Sequence, residues 1–171
     1  YNMSFEDLFH RQVSKIDLYL FEYNGLYMGK LADRAPSGST FNKGYLMGLP
    51  EDYKDVTQLV AFPGIYEDQL NVTTMIPGQS TINDLYVRLN DRSDNVVNQV
   101  IQPLWHGSIA SARTKVNRND TTVISLTKNT NKIRIVLQSL IDTLNVDVND
   151  FSFGLQSVNG SYDAYNTPAD D

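Results

Sequence analysis

The sequence predicts an all-β protein, a two-sheet antiparallel β-sandwich with one or two short helices. Many short segments alternate apolar and polar residues and are rich in Val, Ile, Thr, Tyr and Phe, which is the pattern of half-buried strands. Clusters of Gly, Asn, Asp, Ser or Pro separate these segments and mark turns. About eight to ten such strands suit two packed sheets. A chain of 171 residues suits one domain, residues 1–171.

The chain begins with a helical signal. Ser4 and Asp7 stand at the spacing of a capping box, and apolar residues follow at helical intervals. These features predict a short helix over residues 4–12.

The first strand is predicted over residues 14–22. Side chains alternate between the faces of a strand, so one face carries Ile16, Leu18 and Leu20 and the other carries Lys15, Asp17, Tyr19 and Phe21. Asn24-Gly25 follows, and both residues tolerate the positive φ of a tight hairpin. A β-hairpin is therefore expected here.

The rest of the chain continues the pattern. Residues 33–44 are polar and lack periodicity, which predicts a surface loop. Strands are predicted over residues 45–49, 56–62, 69–75, 82–89, 104–116, 121–128, 132–140 and 151–157. A second short helix is predicted over residues 94–101, since apolar residues recur there among polar ones and Pro103 lies beyond.

Composition excludes several functions. The net charge of −6, a pI near 4.8 and scattered basic residues argue against nucleic acids and anionic membranes as partners. No apolar stretch approaches the roughly 20 residues that span a bilayer. The absence of cysteine excludes disulfides, thiolate zinc sites and cysteine nucleophiles.

No motif for catalysis or cofactor binding stands out. The two histidines, His10 and His106, are far apart in sequence and each adjoins an aromatic residue, so we predict no metal site. No phosphate-binding glycine pattern is present, and we predict no cofactor. A glycosidase would need two converging carboxylates, about 5 to 9 Å apart, and nothing in the sequence marks such a pair. We therefore predict a protein that is not an enzyme.

The aromatic residues have two interpretations. Ten tyrosines, seven phenylalanines and one tryptophan either fill and border a sandwich core or build a platform that stacks on sugar rings. The second interpretation makes the chain a carbohydrate-binding or adhesive module, with Trp105, Tyr162 and Tyr165 as the stacking residues.

One long segment carries a family resemblance. Residues 125–138, SLTKNTNKIRIVLQ, resemble the signature strand of the Bacteroidales fimbrillin-associated anchor proteins, which are minor subunits of type V pili. Further matching motifs occur in the family's order at residues 1–3, 9–13, 16–22, 104–107, 150–153 and 159–163. The resemblance thus covers nearly the whole chain.

The resemblance implies a transthyretin-like Greek-key sandwich in a subunit exposed on the cell surface, without catalysis or a cofactor. Relatives in this family carry a lipidated cysteine and a first β-strand before the residues that match Tyr1. They also carry a second sandwich domain after the residues that match Asp171. We therefore expect this chain to be the N-terminal domain of a two-domain outer-membrane lipoprotein of the fimbria, without its first strand.

A missing strand would leave a groove between the sheets. We expect a strand donated by another fimbrial subunit to fill that groove by pairing with its open edge. A ligand on a host or bacterial surface is the other expected partner. The residues that either line this groove or belong to the interior core are Ile16, Leu18, Leu20, Ile133, Ile135 and Leu137.

Overall fold

The structure, a computed structural model, describes residues 8–53, 55–66, 68–90, 96–97, 99–110, 121–130, 133, 135–136, 147–156 and 160–169. Its elements are one α-helix and nine β-strands: α1 (Phe9–Gln12), β1 (Lys15–Phe21), β2 (Tyr27–Arg34), β3 (Gln58–Pro63), β4 (Leu70–Val72), β5 (Tyr86–Leu89), β6 (Trp105–Ile109), β7 (Thr127–Lys128), β8 (Ser161–Asp163) and β9 (Pro168–Ala169). Single 3₁₀ turns occur at Glu51–Tyr53, Ile82–Asp84 and Val148–Asp150.

The strands form two antiparallel sheets. The first has the order β2-β1-β3-β6-β7 and the second the order β4-β5-β8-β9. One cluster of buried side chains lies between them, with Phe21 and Phe62 from the first sheet and Leu70 and Val87 from the second. The predicted fold class, a two-sheet antiparallel sandwich, is confirmed.

The β1–β2 hairpin turns at Asn24-Gly25, as predicted. Gly25 has φ of +83°, which a residue with a side chain rarely adopts. The Leu26 N–H donates to Asn24 Oδ1 at 2.9 Å and the Gly25 N–H donates to the Glu22 carbonyl at 2.9 Å. The turn is therefore fixed by local side-chain and backbone hydrogen bonds.

Both faces of β1 are buried. Tyr19 and Phe21 face the core between the sheets. On the opposite face Leu18 and Leu20 contact Val56 and Ala61, in a cluster that extends into the loop before β3. The first sheet is thus covered on its outer side by irregular chain instead of a third sheet.

The loop after β2 supplies much of this outer cover. Phe41 is buried with Ile16 and Trp105, although residues 33–44 were predicted to form a polar surface loop. That prediction is right about the absence of regular structure after Arg34 and wrong about exposure at Phe41. Phe41, together with the buried Ala35, anchors this polar loop on the sheet.

The described residues contradict several predicted elements. The N-terminal helix is a single turn at Phe9–Gln12, and residues 4–7 lie outside the described part. Residues 96–97 and 99–101 are not helical, so the second helix is wrong where it can be compared. Val96, Val97 and Val100 are exposed there, and a helix would have no covered apolar face.

Several predicted strands are absent or shortened. Residues 45–49 and 151–156 form no strand, and only Thr127–Lys128 of residues 121–128 pair with β6. The described residues of 132–140, which are 133, 135 and 136, are not in a strand either. Alternating sequence favours an extended chain, but a strand also requires a neighbour to pair with.

Candidate functional site

The predicted groove residues on β1 are core residues. Ile16, Leu18 and Leu20 are buried, and β1 is paired along both of its sides, with β2 and with β3. No other strand can add beside β1, because its backbone groups are already engaged. These three residues are therefore covered by other segments of the same chain.

The predicted groove residues on the later segment are exposed. Ile133 is 67% exposed and Ile135 is 52% exposed, while Leu137 lies outside the described residues. The two described isoleucines are two positions apart, the spacing that places side chains on one face of an extended chain. The structure therefore does not bring the predicted groove residues together in one environment.

A second segment shows the same alternation in solvent. Phe151, Phe153 and Leu155 are between 41% and 70% exposed. Phe151 has the extended backbone angles φ −107° and ψ 137°. Ser152 and Gly154 separate the apolar residues, so an extended chain carries all three on one face. Large apolar side chains exposed at strand spacing are typical of a surface that binds another polypeptide.

The outer edge of β2 is a weaker candidate for strand addition. Tyr27 already exchanges hydrogen bonds with a crossing segment, since its N–H donates to the Ser80 carbonyl at 2.8 Å and its carbonyl accepts from the Gly78 N–H at 2.9 Å. Farther along, β2 carries the exposed charged side chains Lys30 and Arg34. Charges on an edge strand oppose pairing with another chain.

The predicted sugar-stacking residues do not form one platform. Trp105 is buried against Phe41, and the Lys128 ammonium lies 5.7 Å from the centre of its ring. Tyr162 is half-buried in the second sheet, and Tyr165 is exposed with its hydroxyl 3.4 Å from Asn83 Oδ1. Trp105 cannot stack on a sugar from solvent, because its ring is covered.

An open cleft of about 490 Å³ lies where β2 runs into the following loop. Its apolar lining includes an aromatic pair: Phe41 and the half-buried Tyr45 have ring centres 4.3 Å apart, and Phe9 stacks 5.9 Å from Phe41 behind them. The lining also includes the exposed polar residues Asp33, Arg34, Asn42 and Lys43 and the apolar residues Ala35, Pro36 and Leu46.

One hydrogen-bond network fixes the cleft. The Tyr45 hydroxyl donates to Asp33 Oδ2, and the backbone N–H of Arg34 donates to Asp33 Oδ1 at 2.7 Å. The hydrogen bond from Tyr45 and, to a smaller extent, the one from the Arg34 backbone hold the pKa of the Asp33 carboxyl below its usual range. Burial and the bond to Asp33 raise the pKa of Tyr45. Asp33 is therefore a carboxylate and Tyr45 a neutral donor at neutral pH.

The lining of the cleft includes two basic residues. Arg34 and Lys43 are exposed, and neither has an ion-pair partner among the residues that the structure describes. Sequence reasoning missed this site, since it treated residues 33–44 as a loop and 45–49 as a strand. The available signal was weak: two aromatic residues, Phe41 and Tyr45, inside a polar segment, with Lys43 between them.

Two other kinds of site are absent from the described residues. No group of three or more His, Asp or Glu side chains is placed there to hold a metal ion. None of the helices in those residues is long and apolar enough to cross a membrane.

Comparison with known proteins connects this structure to fimbriae. The family model of the fimbrillin-A associated anchor proteins Mfa1 and Mfa2 matches residues 1–171. A search of curated proteins found no match. A solved structure described as that of a candidate polysaccharide-binding protein from Bacteroides thetaiotaomicron is 30% identical, with a TM-score of 0.82 over the whole chain.

Two candidate adhesins share the fold. One from Bacteroides thetaiotaomicron is 20% identical with a TM-score of 0.69, and one from Bacteroides ovatus is 15% identical with a TM-score of 0.67. The chain is covered over 100% and 99% of its length in these matches and spans 55% to 59% of the three solved chains. By the match over its full length, the chain belongs to the family of the fimbrillin-A associated anchor proteins.

Proposed function

We propose that the chain is part of an accessory or anchor subunit of a bacterial surface fimbria, without catalytic activity, that joins other subunits by strand addition. The observation that carries this proposal is the row of exposed apolar side chains Phe151, Phe153 and Leu155. Membership of the family supports the fimbrial setting. Ile133 and Ile135 supply a second exposed apolar pair of the same spacing.

The energetics favour a partner at this surface. Removing a fully exposed Phe or Leu side chain from water stabilises a complex by about 1.5–3 kcal/mol. The three side chains of residues 151–155 are roughly half exposed, so their burial would contribute about 3–4 kcal/mol in total. An extended donor strand would add backbone hydrogen bonds to this apolar contact.

The proposal also places the chain in a larger subunit. The chain spans 59% of the length of the 30% identical relative, which leaves room in such a protein for the predicted second domain. We propose that the chain is the N-terminal domain of an outer-membrane lipoprotein of the fimbria. Donor-strand insertion would then complete the sandwich from outside.

Fimbrial incorporation tests the proposal directly. The double variant Phe151→Ser/Phe153→Ser removes two apolar contacts from the exposed row. In cells that make the full-length subunit, we expect the amount recovered in purified fimbriae to fall by about tenfold or more, from roughly 2 kcal/mol of lost contact.

The matched control is Tyr23→Ser, which removes an aromatic side chain that is 85% exposed at the β1–β2 turn. It should leave incorporation unchanged. Circular dichroism of each purified chain checks that the variants fold. A folded double variant that enters fimbriae at the wild-type level would contradict strand addition at residues 151–155.

A second candidate function is polysaccharide binding in the cleft beside β2. The cleft combines aromatic rings with polar side chains and has a volume in the usual range of small-molecule sites. The 30% identical relative is described as a candidate polysaccharide-binding protein, which supports the same function here. Binding to a panel of glycans tests it, with loss of binding expected on Tyr45→Ala.

A further inference from the structure

The apolar row of residues 151–155 stands next to carboxylates. Asp147 and Asp150 come just before it in the chain, and both are exposed. Asp147 caps the 3₁₀ turn, where its Oδ1 atom accepts the backbone N–H of Asn149 at 2.9 Å, and Asp150 ends that turn. Among the residues that the structure describes, no cation forms an ion pair with either carboxylate. The apolar row therefore has two negative charges at its N-terminal end.

The sequence around the apolar row holds no opposite charge. All 14 Lys and Arg residues lie within residues 1–134, together with 14 of the 20 Asp and Glu residues. Residues 135–171 hold the other six acidic residues, all of them Asp, and no Lys or Arg. Residues 1–134 are thus neutral, and the whole net charge of −6 comes from the segment that contains the apolar row.

This distribution of charge narrows the kind of polypeptide that suits the apolar row. Opposite charges on paired strands stabilise the pair, and like charges oppose it. A donor strand with lysine or arginine beside its own apolar residues would form ion pairs with Asp147 and Asp150, whereas an acidic donor would be repelled. A basic donor would also be attracted over about 10 Å, the Debye length at roughly 0.1 M salt, which raises the rate of encounter.

A second copy of this chain is less suited to the position. Two copies of residues 147–155 paired with each other would bring four carboxylates and no cation to one contact. The net charge of −6 also opposes the approach of two whole chains. Both points favour a segment of a different protein.

We infer that the partner of residues 151–155 is a basic, extended segment of another protein. In that segment, apolar side chains at every second position contact the apolar row, and lysine or arginine residues at one end pair with Asp147 and Asp150. This inference rests on the strand addition proposed above and adds the charge that selects the donor.

Three matched peptides test the charge of the donor. Each alternates valine with threonine over eight positions and ends in two lysines, two glutamines or two glutamates, with an amidated C-terminus. Binding of each labelled peptide to the full chain is measured by fluorescence anisotropy. One exposed ion pair corresponds to about threefold in affinity, so the lysine peptide should bind about tenfold more tightly than the glutamine peptide, and the glutamate peptide more weakly than both. Phe151→Ser/Phe153→Ser should weaken all three peptides alike, because it removes apolar contact and no charge.

Charge variants of the chain locate the effect. Asp147→Asn/Asp150→Asn removes both charges and keeps an acceptor oxygen for the bond to Asn149. The preference for the lysine peptide over the glutamine peptide should fall to about twofold or less. The matched control is Asp52→Asn/Asp55→Asn, which removes two exposed carboxylates in the loop before β3 and should keep the tenfold preference. Raising the salt to about 1 M shortens the Debye length to about 3 Å and should lower the preference of the wild type in the same way.

The outcomes separate the charge of the donor from strand addition itself. Equal binding of the lysine and glutamine peptides would overturn the basic partner and leave strand addition in place. Failure of every peptide to bind would overturn both. An equal fall in preference in Asp52→Asn/Asp55→Asn and Asp147→Asn/Asp150→Asn would show attraction by the net charge alone and contradict the site. A dimer of the chain by itself in sedimentation velocity, lost in Asp147→Asn/Asp150→Asn, would assign the position to a second copy and overturn the separate partner.

Discussion

Two segments of this chain both carry apolar side chains at every second residue and have opposite surroundings. In β1 the apolar residues Leu18 and Leu20 alternate with Tyr19 and Phe21, and every residue of the strand is buried. At residues 151–155 the apolar side chains also alternate, yet all three are exposed. The alternation of residues therefore predicts which side chains share a face. Whether that face is buried depends on the segments that pack against it.

The two segments differ in what lies at their two edges and against their two faces. β1 is paired with β2 and β3 at its edges, and its faces are covered by the core between the sheets and by the irregular cover that includes Val56. Residues 151–156 are paired with no strand within the described part of the chain. A segment with the sequence of a strand and without partners is suited to pairing with another molecule, and this is the basis of the proposed function.

Truncating one phenylalanine in each region gives the largest expected contrast. Phe21→Ala removes a fully buried ring and leaves a cavity, so we expect the free energy of unfolding to fall by about 3–5 kcal/mol. Phe153→Ala removes a ring that is mostly in solvent, and the expected change is within about 0.5 kcal/mol. Urea unfolding of the purified variants measures both values. Equal losses would mean that residues 151–155 are buried within the domain itself.

The sequence predicted the covered region far better than the exposed one. The β1 strand, its two faces and its hairpin at Asn24-Gly25 follow from local pattern and turn chemistry, and all three are found. The prediction of a strand is wrong at residues 151–156, because a strand also requires a distant segment to pair with, and the local sequence does not show one. The same limit applies to the predicted groove residues. Ile16 and Ile133 lie in similar local sequence patterns, yet Ile16 is buried and Ile133 is exposed, because only Ile16 lies in a strand that is paired on both sides.

The cleft was less predictable than either region. It depends on Asp33 at the end of β2 meeting Tyr45 across a loop, and no spacing rule sets that contact. The burial of Phe41 positions the loop, but a phenylalanine in a polar segment does not by itself predict that it will be buried. Loop-borne sites of this kind are common, because a rigid sheet can hold irregular chain in place.

Two glycines sharpen the comparison at a smaller scale. A Cβ on Gly107 in β6 would lie 2.6 Å from the Ser125 carbonyl and 2.7 Å from Ile124 Cγ2, whereas one on Gly154 would meet nothing within 4 Å. Gly107→Ala should cost about 1–3 kcal/mol, because the segment before β7 must move off the sheet. Gly154→Ala should be neutral or stabilise by about 0.4–1 kcal/mol through the unfolded state.

Thermal or urea unfolding of the two alanine variants provides the measurement. A normal stability for Gly107→Ala would contradict the close approach of residues 124–126 to β6 and would leave that sheet more open than described. A large loss for Gly154→Ala would place residues 151–156 in a packed environment. Either result would weaken the contrast between covered and exposed segments.

The last expected effect is a pH dependence of the unfolding free energy that arises from His106, in the covered region. His106 of β6 is buried against Phe62, and its Nε2–H donates at 2.9 Å to the carbonyl of Ala164, in the turn that follows β8 of the other sheet. Burial lowers the pKa of His106 below 6.5, and the bond to Ala164 and the nearby Asp163 charge only partly oppose this shift. Above pH 6.5 the folded protein therefore holds this histidine neutral.

The sign of the effect follows from proton uptake. As the pH falls below about 6.5, the unfolded chain binds a proton at His106 that the folded chain does not yet bind, so the free energy of unfolding decreases by at most about 1.4 kcal/mol per pH unit. His106→Gln keeps a side-chain N–H for Ala164 and cannot titrate, while the carboxylates and His10 remain in both proteins. The difference in unfolding free energy between wild type and variant should therefore change between pH 7.5 and pH 5.5, with the wild type losing more stability. A constant difference across this range would show that His106 is not held neutral, and that the contact between the sheets at Ala164 tolerates its charge.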